Sequence, residues 1–296
     1  MLDFRTETFI TVCEMMNFTK AAEKLNITQP AVSQHIRFLE ESYQVKLFEF
    51  SGRKMKLTES GKMLLNAFIT MKHDEKILKD RLSDSLHEKK IRFGATLTVG
   101  EFILPKQITR YLKSHQSVQL KMLIANTGEL LTELEAGNID FAIVEGYFAK
   151  SEYDHRLYSK EKYIAVCAAS HSFQNKSLEL KDLFEETLIV REEGSGTREI
   201  LEREMERQNY TLRDFKNRIE ISNLNTIKYL TAENCGITFL YEAAAEKELE
   251  EGRLKKIDLE GLDMMHDITC IWRKNSYFSP YYEELLHFLR QERAVN

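Results

Sequence analysis

Apolar positions recur along this chain with two different periods, and the changes between them divide it. Near the start Phe9, Val12, Cys13 and Met16 fall at i, i+3, i+4 and i+7, the stripe of an amphipathic helix over residues 2–16. Asn17 and Phe18 interrupt that stripe. Thr19 then offers a hydroxyl cap to a short helix, KAAEKL, whose Ala21 and Ala22 let a neighbour cross closely. After Asn26 and Ile27, Thr28 caps a third helix with Pro30 in its first turn, where a missing N–H costs nothing. Val32, Ile36 and Leu39 form the inner stripe of that helix, which leaves Gln29, Ser33, Gln34 and Arg37 outside. The period then shortens. KLFEFSGRKMKLT, residues 46–58, is strand-like on both sides of Ser51 and Gly52 and reads as a β-hairpin, with Arg53, Lys54 and Lys56 near its tip.

Residues 59–86 contain no proline, and Leu64, Phe68, Met71, Leu78 and Leu82 follow a 4-3 spacing that Glu75 interrupts. One long helix is predicted, whose stripe either packs on its own domain or zips against a second copy. HEKK, residues 87–90, reads as a hinge. Beyond it strand and helix patterns alternate, which predicts an α/β body. IRFGAT is a first strand, EFILPKQITRYLKSH a helix and QLKMLIA a second strand. TGELLTELEAGNIDFAIVEG then gives a capped helix, a Gly137-Asn138 stop and an apolar strand. SNLNTIKYLTAENCGITFLYE repeats that unit, with Asn234 at the stop, a residue that tolerates the left-handed conformation. Two similar lobes are expected.

Composition adds few constraints. The 296 residues suffice for about two domains. Residues 1–90 carry 15 Lys and Arg against 13 Asp and Glu, while the remainder carries 27 against 34. A mildly basic front on an acidic body is compatible with nucleic acid at one end. The start, MLDFRTETFI, lacks a basic segment followed by an apolar one, and no window reaches the roughly 20 apolar residues that a membrane span needs. The expected location is the cytoplasm, with no membrane contact. Cys13, Cys167, Cys235 and Cys270 are widely spaced, so they read as buried thiols rather than as a metal site or a disulfide framework.

The outer face of the third helix carries hydrogen-bonding side chains that suit base edges or phosphates in a major groove. An αα-hairpin with a merely solvated polar face has the same periodicity. The basic hairpin that follows favours DNA, because a wing there would set its charges against the phosphate backbone.

FTKAAEKLNITQPAVSQHIRFLE, then KLF, then GRKMKLTESG, strongly resembles the LysR-type transcriptional regulators. The resemblance implies a winged helix-turn-helix in residues 1–58, whose third helix enters the major groove of a pseudo-palindromic promoter site. The DNA-contact set is then Thr28, Gln29, Pro30, Ser33, Gln34, Arg37, Arg53, Lys54 and Lys56. It further implies that residues 59–90 form a dimerising linker helix and hinge, with the protein acting as a dimer or tetramer able to contact RNA polymerase. Two departures stand out. Tyr43-Gln44 occupies the family's usual Leu-Gly, so the turn must form without glycine's freedom, and Phe50 replaces an arginine, shifting weight to Arg53 and Lys54.

The resemblance continues, less tightly, through residues 91–296. It implies a two-lobed periplasmic-binding-protein type 2 effector domain, with lobe I at 91–163 and 267–296 and lobe II at 164–266. The effector would sit between the lobes, and closure would rotate the DNA-reading heads. Strand ends nominate the lining: Thr96, Thr98, Asn126, Thr127, Glu145 and Gly146. In VREEGSGTREI, Ser195, Gly196 and Thr197 precede a helix, and Arg198 adds charge, which suits a small carboxylate or oxyanion. A plain capping turn is the competing reading.

No cofactor is expected and no enzyme motif is complete. Gly194-Ser195-Gly196 is not G-x-S-x-G, GSGTRE lacks the third glycine of a dinucleotide loop, and there is no phosphate loop or H-E-x-x-H. A thiol redox sensor of the same architecture, built on Cys235, is the other regulator reading, though no second cysteine is near in sequence to resolve it.

Overall fold

The computed structural model describes residues 3–52, 54–83, 89–115, 117–173, 178–261 and 264–290. Arg53 and residues 84–88, which include half of the expected hinge, lie outside the described residues, and the other half, 89–90, begins a strand.

The head comprises α1 (Phe4–Met15), α2 (Phe18–Leu25), α3 (Gln29–Tyr43) and a hairpin of β1 (Phe48–Ser51) and β2 (Lys54–Leu57). Its core joins Phe9, Val12, Cys13, Ala21, Ala22, Val32, Ile36 and Leu39 to Leu47, Phe48 and Phe68. Two local expectations change. Asn17, not Thr19, caps α2, accepting from Lys20 N at 3.0 Å. Met16 is left-handed at φ 45° and exposed rather than part of the stripe, because it ends α1. The Tyr43-Gln44 turn closes with Gln44 itself left-handed at φ 55°, the conformation glycine adopts at lower cost.

The linker α4 (Glu59–Ser83) divides its apolar stripe. Phe68 enters the head core, whereas Met71, Leu78 and Leu82 are exposed. A different face docks on the body. Ile77 joins the body's core, His73 Nε2 meets Ile139 O at 3.1 Å, and Asp74 accepts from Ser276 Oγ at 2.6 Å and Tyr277 N at 2.7 Å. Lys72 Nζ reaches Glu7 of α1 at 2.7 Å.

The body continues with β3 (Lys89–Ala95), a π-helical turn over Val99–Ile103, α5 (Pro105–Ser114), β4 (Val118–Ile124), α6 (Thr127–Glu135) and β5 (Phe141–Val144). The single helix expected at EFILPKQITRYLKSH is therefore split. Pro105 has no N–H to continue a preceding helix and starts a new one, while Leu104 N bonds back to Val99 O at 2.8 Å. There follow β6 (Tyr153–Ala168), β7 (Thr187–Val190), α7 (Gly196–Arg207), β8 (Asn217–Glu220), α8 (Leu224–Ala232), β9 (Thr238–Tyr241), α9 (Glu242–Glu250), β10 (Leu254–Ile257), β11 (Met264–Arg273) and α10 (Ser279–Arg290).

The main sheet runs β10-β6-β11-β5-β3-β4, with β9 also on β6, and β7 pairs in parallel with β8. β6 serves both lobes: Tyr153–Tyr163 pairs with β11, and its end pairs with β9 and β10. Parallel β3, β4 and β5 beside antiparallel β6 and β11 give the mixed α/β body, and their carboxyl ends deliver loops to the junction of the lobes. The units after β4 and after β8 repeat as expected, stopping at left-handed Gly137 and Asn234.

Candidate functional sites: a polar helix face and an interlobe junction

On the head, the core stripe of α3 turns the opposite face to solvent. Thr28 caps the helix, its Oγ1 accepting from Ala31 N at 3.4 Å, and Pro30 occupies the first turn. Gln29, Gln34 and Arg37 are exposed, and Gln29 Nε2 donates to half-buried Ser33 Oγ at 2.9 Å. His35 turns inward, its Nδ1 2.9 Å from Thr8 Oγ1. In the hairpin, Lys54 and Lys56 are both exposed two residues apart on one strand, so they share a face. Phe50 is 67% exposed, an aromatic ring where the resemblance leads one to expect a charge.

At the junction of the lobes, Glu145 follows β5 and is 2% exposed. Its Oε1 accepts from Thr197 Oγ1 at 2.7 Å and from Thr98 Oγ1 at 3.4 Å. Its backbone is held too, with Thr127 Oγ1 donating to the carbonyl at 2.8 Å and the amide donating to Thr96 Oγ1 at 3.4 Å. Five of the expected residues thus meet at a sixth, Glu145: Thr98 and Thr197 at its carboxyl, and Thr96, Thr127 and Gly196 at its backbone. Gly146 and Gly196 permit the approach of the lobes. A Cβ on Gly196 would lie 2.7 Å from Glu145 O, and one on Gly146 would lie 2.9 Å from Gly196 Cα. Tyr163 of β6 completes the contact by donating to Thr197 O at 2.8 Å.

Burial pushes the Glu145 carboxyl up to about 7, against the opposing pull of the Thr197 and Thr98 hydroxyls and of Arg191. It also drives the Tyr163 and Tyr241 phenols well above their ordinary value and holds His266 low.

Two expected residues lie elsewhere. Asn126 is occupied as the cap of α6, accepting from Glu129 N at 2.9 Å. Arg198 turns away from Glu145 into ion pairs with Glu202 at 2.8 Å and Glu220 at 2.7 Å. Ser195 stands at the cap position of α7 but makes no capping bond. The GSGT segment is therefore not a side-chain-capped turn.

Arg191 is the residue that sequence reasoning missed. It follows β7, is 3% exposed and grips Glu192 with Nε and Nη2, each at 2.7 Å. The strand-end rule that nominated Glu145 would have nominated it as well. The thiols divide three to one. Cys13, Cys167 and Cys270 are buried, with Cys13 pushed up to about 12 and Cys167 to about 11 by desolvation, whereas Cys235 is exposed, contrary to expectation. Among the described residues, no cluster of His, Cys, Asp and Glu could hold a metal ion, and no helix is long and apolar enough to cross a membrane.

Residues 5–62 match the family model for the bacterial regulatory helix-turn-helix protein of the lysR family, and residues 84–294 match that for the LysR substrate binding domain. The HTH-type transcriptional regulator CysL of Bacillus subtilis is 28% identical over 268 residues, covering 90% of this chain and 89% of CysL. The HTH-type transcriptional regulator CbbR of Rhodospirillum rubrum is 29% identical over 290 residues, covering 95% and 93%. Among solved structures, a Corynebacterium glutamicum OxyR C206 mutant superposes with a TM-score of 0.61 at 24% identity, over 97% of this chain and 89% of that one. Full-length BenM does so at 0.60 and 23%, over 99% and 97%. These structures share the arrangement of head, linker helix and two-lobed body. Matched in both parts over nearly its whole length, the chain belongs to the LysR family of helix-turn-helix transcriptional regulators.

Proposed function

We propose that this regulator reads a pseudo-palindromic promoter site with the exposed face of α3 and answers to a small carboxylate or oxyanion held where its lobes meet. The DNA-contact set is Thr28, Gln29, Pro30, Ser33, Gln34 and Arg37 on and before α3, with Arg53, Lys54 and Lys56 of the wing against phosphates. The observation that carries this reading is the exposure of Gln29, Gln34 and Arg37 on a helix whose other face is locked into the head core. A rigid helix presenting donors and acceptors to solvent is what base-edge readout needs.

The head at 1–58, linker at 59–90 and effector domain at 91–296 act in series. Exposed Met71, Leu78 and Leu82 on α4 support pairing of two linker helices, and hence a dimer or a tetramer of dimers. Contact with RNA polymerase completes the regulatory role. The buried hydroxyl of Ser195 and the guanidinium of Arg191 support an anionic effector.

Capture of genomic DNA by the purified full-length protein, with and without small carboxylates and inorganic oxyanions, tests the reading. Enrichment of a pseudo-palindrome near promoters, altered by one class of anion, is the expected result. Enrichment that no anion alters would remove the effector assignment, and none at low salt would remove the operator assignment.

A further inference from the structure

Three buried polar atoms at the interlobe junction have no hydrogen-bond partner among the described residues: Glu145 Oε2, Ser195 Oγ and Arg191 Nη1. Each belongs to a residue no more than 3% exposed. Ser195 adjoins Gly196, whose Cβ position is 2.9 Å from Glu145 Cγ, and the Arg191 charge acts on the Glu145 carboxyl. Buried polar groups are almost always satisfied, so three left unsatisfied in this part of the fold call for a polar partner.

The hydrogen bonds of Glu145 decide the sign of that ligand. Oε1 already accepts from the Thr197 and Thr98 hydroxyls, which fills its two lone-pair directions. With both hydroxyls donating to Oε1, a proton on this carboxyl resides on Oε2, the atom without a partner. Protonated in this way, Glu145 is a donor, as are Ser195 Oγ and Arg191 Nη1. An ionised Glu145 would instead leave a buried carboxylate oxygen unpaired and would repel an anion.

We propose that the junction takes up a small oxyanion together with one proton, carried by Glu145, so that effector binding reports pH as well as concentration. The proposal rests on the anionic-effector reading above and gives it a proton linkage. The oxyanion gains three donors, and the proton is drawn from solvent without any change of oxidation state.

The surrounding groups are consistent with a neutral carboxyl. Beyond β7, Arg191 favours ionisation, but its Nε and Nη2 are already bound to Glu192, which opposes it. Tyr163 of β6 and Tyr241 of β9 stay neutral. Glu199 of α7 lies beside Gly146, paired with Arg203 at 3.0 Å and with its Oε2 accepting from Tyr147 N at 3.4 Å. His266 of β11 is held low and meets the Tyr241 hydroxyl at 3.0 Å. Burial dominates this balance, leaving the Glu145 titration near neutrality.

Titration calorimetry of the full-length protein with sodium sulfate and, separately, sodium acetate tests the proposal at pH 6, 7 and 8 in two buffers of different ionisation enthalpy. Neither anion changes its own charge in that range, and the two arms separate inorganic from carboxylate ligands. Affinity should weaken toward about tenfold per pH unit above about pH 7, with uptake of close to one proton at pH 8. Glu145→Gln keeps a donor without titrating, so it should bind at all three pH values without that slope. Ser195→Ala should weaken binding at least about fivefold.

Equal affinity at pH 6 and 8 with no proton uptake would overturn the linkage and leave the anion site standing. Binding of methylammonium that tightens as pH rises would overturn the sign. Anion binding that both variants leave unchanged would place the ion elsewhere and overturn the proposal. No binding of either anion at any pH would remove the anionic effector itself, and the proton linkage with it.

Discussion

Thr197 Oγ1 donates to Glu145 Oε1 at 2.7 Å, and that bond joins the start of a helix in one lobe to the end of a strand in the other. The carboxyl it holds is buried and titrates near 7 instead of its ordinary 4.5. A carboxyl raised on folding lends stability that is complete below its unfolded value and is lost as pH rises through its folded value. Glu145→Gln should therefore match the wild type near pH 4 and exceed it at pH 8, by an amount on the order of 3 kcal/mol. Urea unfolding at both pH values checks this, and a difference independent of pH would count against it.

Contact between the lobes depends on bare backbone at Gly196. In Gly196→Ala the new methyl would meet Glu145 O at 2.7 Å, a distance that a Cβ does not tolerate. The lobes must part, at a cost of about 1–3 kcal/mol, and anion binding at the junction should be lost. Gly194→Ala is the control, since no atom lies within 4 Å of its Cβ position and only its φ of 85° is strained. It should lower the melting temperature yet keep anion binding. Similar binding by both variants would show that the close approach is unimportant.

Gln44 holds a left-handed conformation at the end of α3 with an ordinary side chain. Such a residue costs roughly 1–2 kcal/mol, partly returned on substitution by the greater unfolded-state freedom of glycine. Gln44→Gly should raise stability by about 1 kcal/mol without altering DNA affinity. A lower melting temperature would mean that the glutamine side chain contributes more than its backbone strain costs.

Base readout and phosphate contact separate by their dependence on sequence and salt. Gln34→Ala and Arg37→Ala should weaken binding to the specific site more than to random DNA, by about 1–3 kcal/mol each. Lys54→Ala and Lys56→Ala should weaken both alike and lower the salt slope by about 0.9 each. Fluorescence anisotropy across a salt series distinguishes the two patterns. Equal loss on both DNAs for Arg37→Ala would remove it from base readout.

Asp74 ties α4 to the body through Ser276 Oγ and Tyr277 N. Burial pushes its carboxyl up, but the neighbouring His73 ring and the hydrogen bonds from Ser276 Oγ and the Tyr277 amide bring it below its ordinary 3.8. Its contribution is therefore present above pH 3.8 and lost as pH falls through the lowered value. Asp74→Ala should destabilise the protein by about 1–2 kcal/mol at pH 7 and uncouple the operator response from anion binding. Unchanged coupling would show that the clasp carries no signal.

Periodicity and capping made most elements legible in the sequence. The buried stripe of α3, its Thr28 cap and the left-handed Asn234 all depend on groups within a turn or two of one another. Those interactions are nearly complete in any window of some ten residues, so they survive as patterns. Motif resemblance supplied the two-part architecture in the same way.

What each surface meets was decided by the tertiary structure. Thr70 and Lys274 touch across 204 residues, and no local pattern marks which face of α4 docks on the body. Arg198 stands beside the expected anion site in sequence, yet Glu220, a strand away, draws it out of the junction. Glu145 was legible as a strand end, but its burial, its Thr197 partner 52 residues on and the missed Arg191 depend on the lobes closing. Local hydrogen bonds and side-chain period are written residue by residue, whereas burial, and with it charge state, is a property of whatever the fold brings alongside.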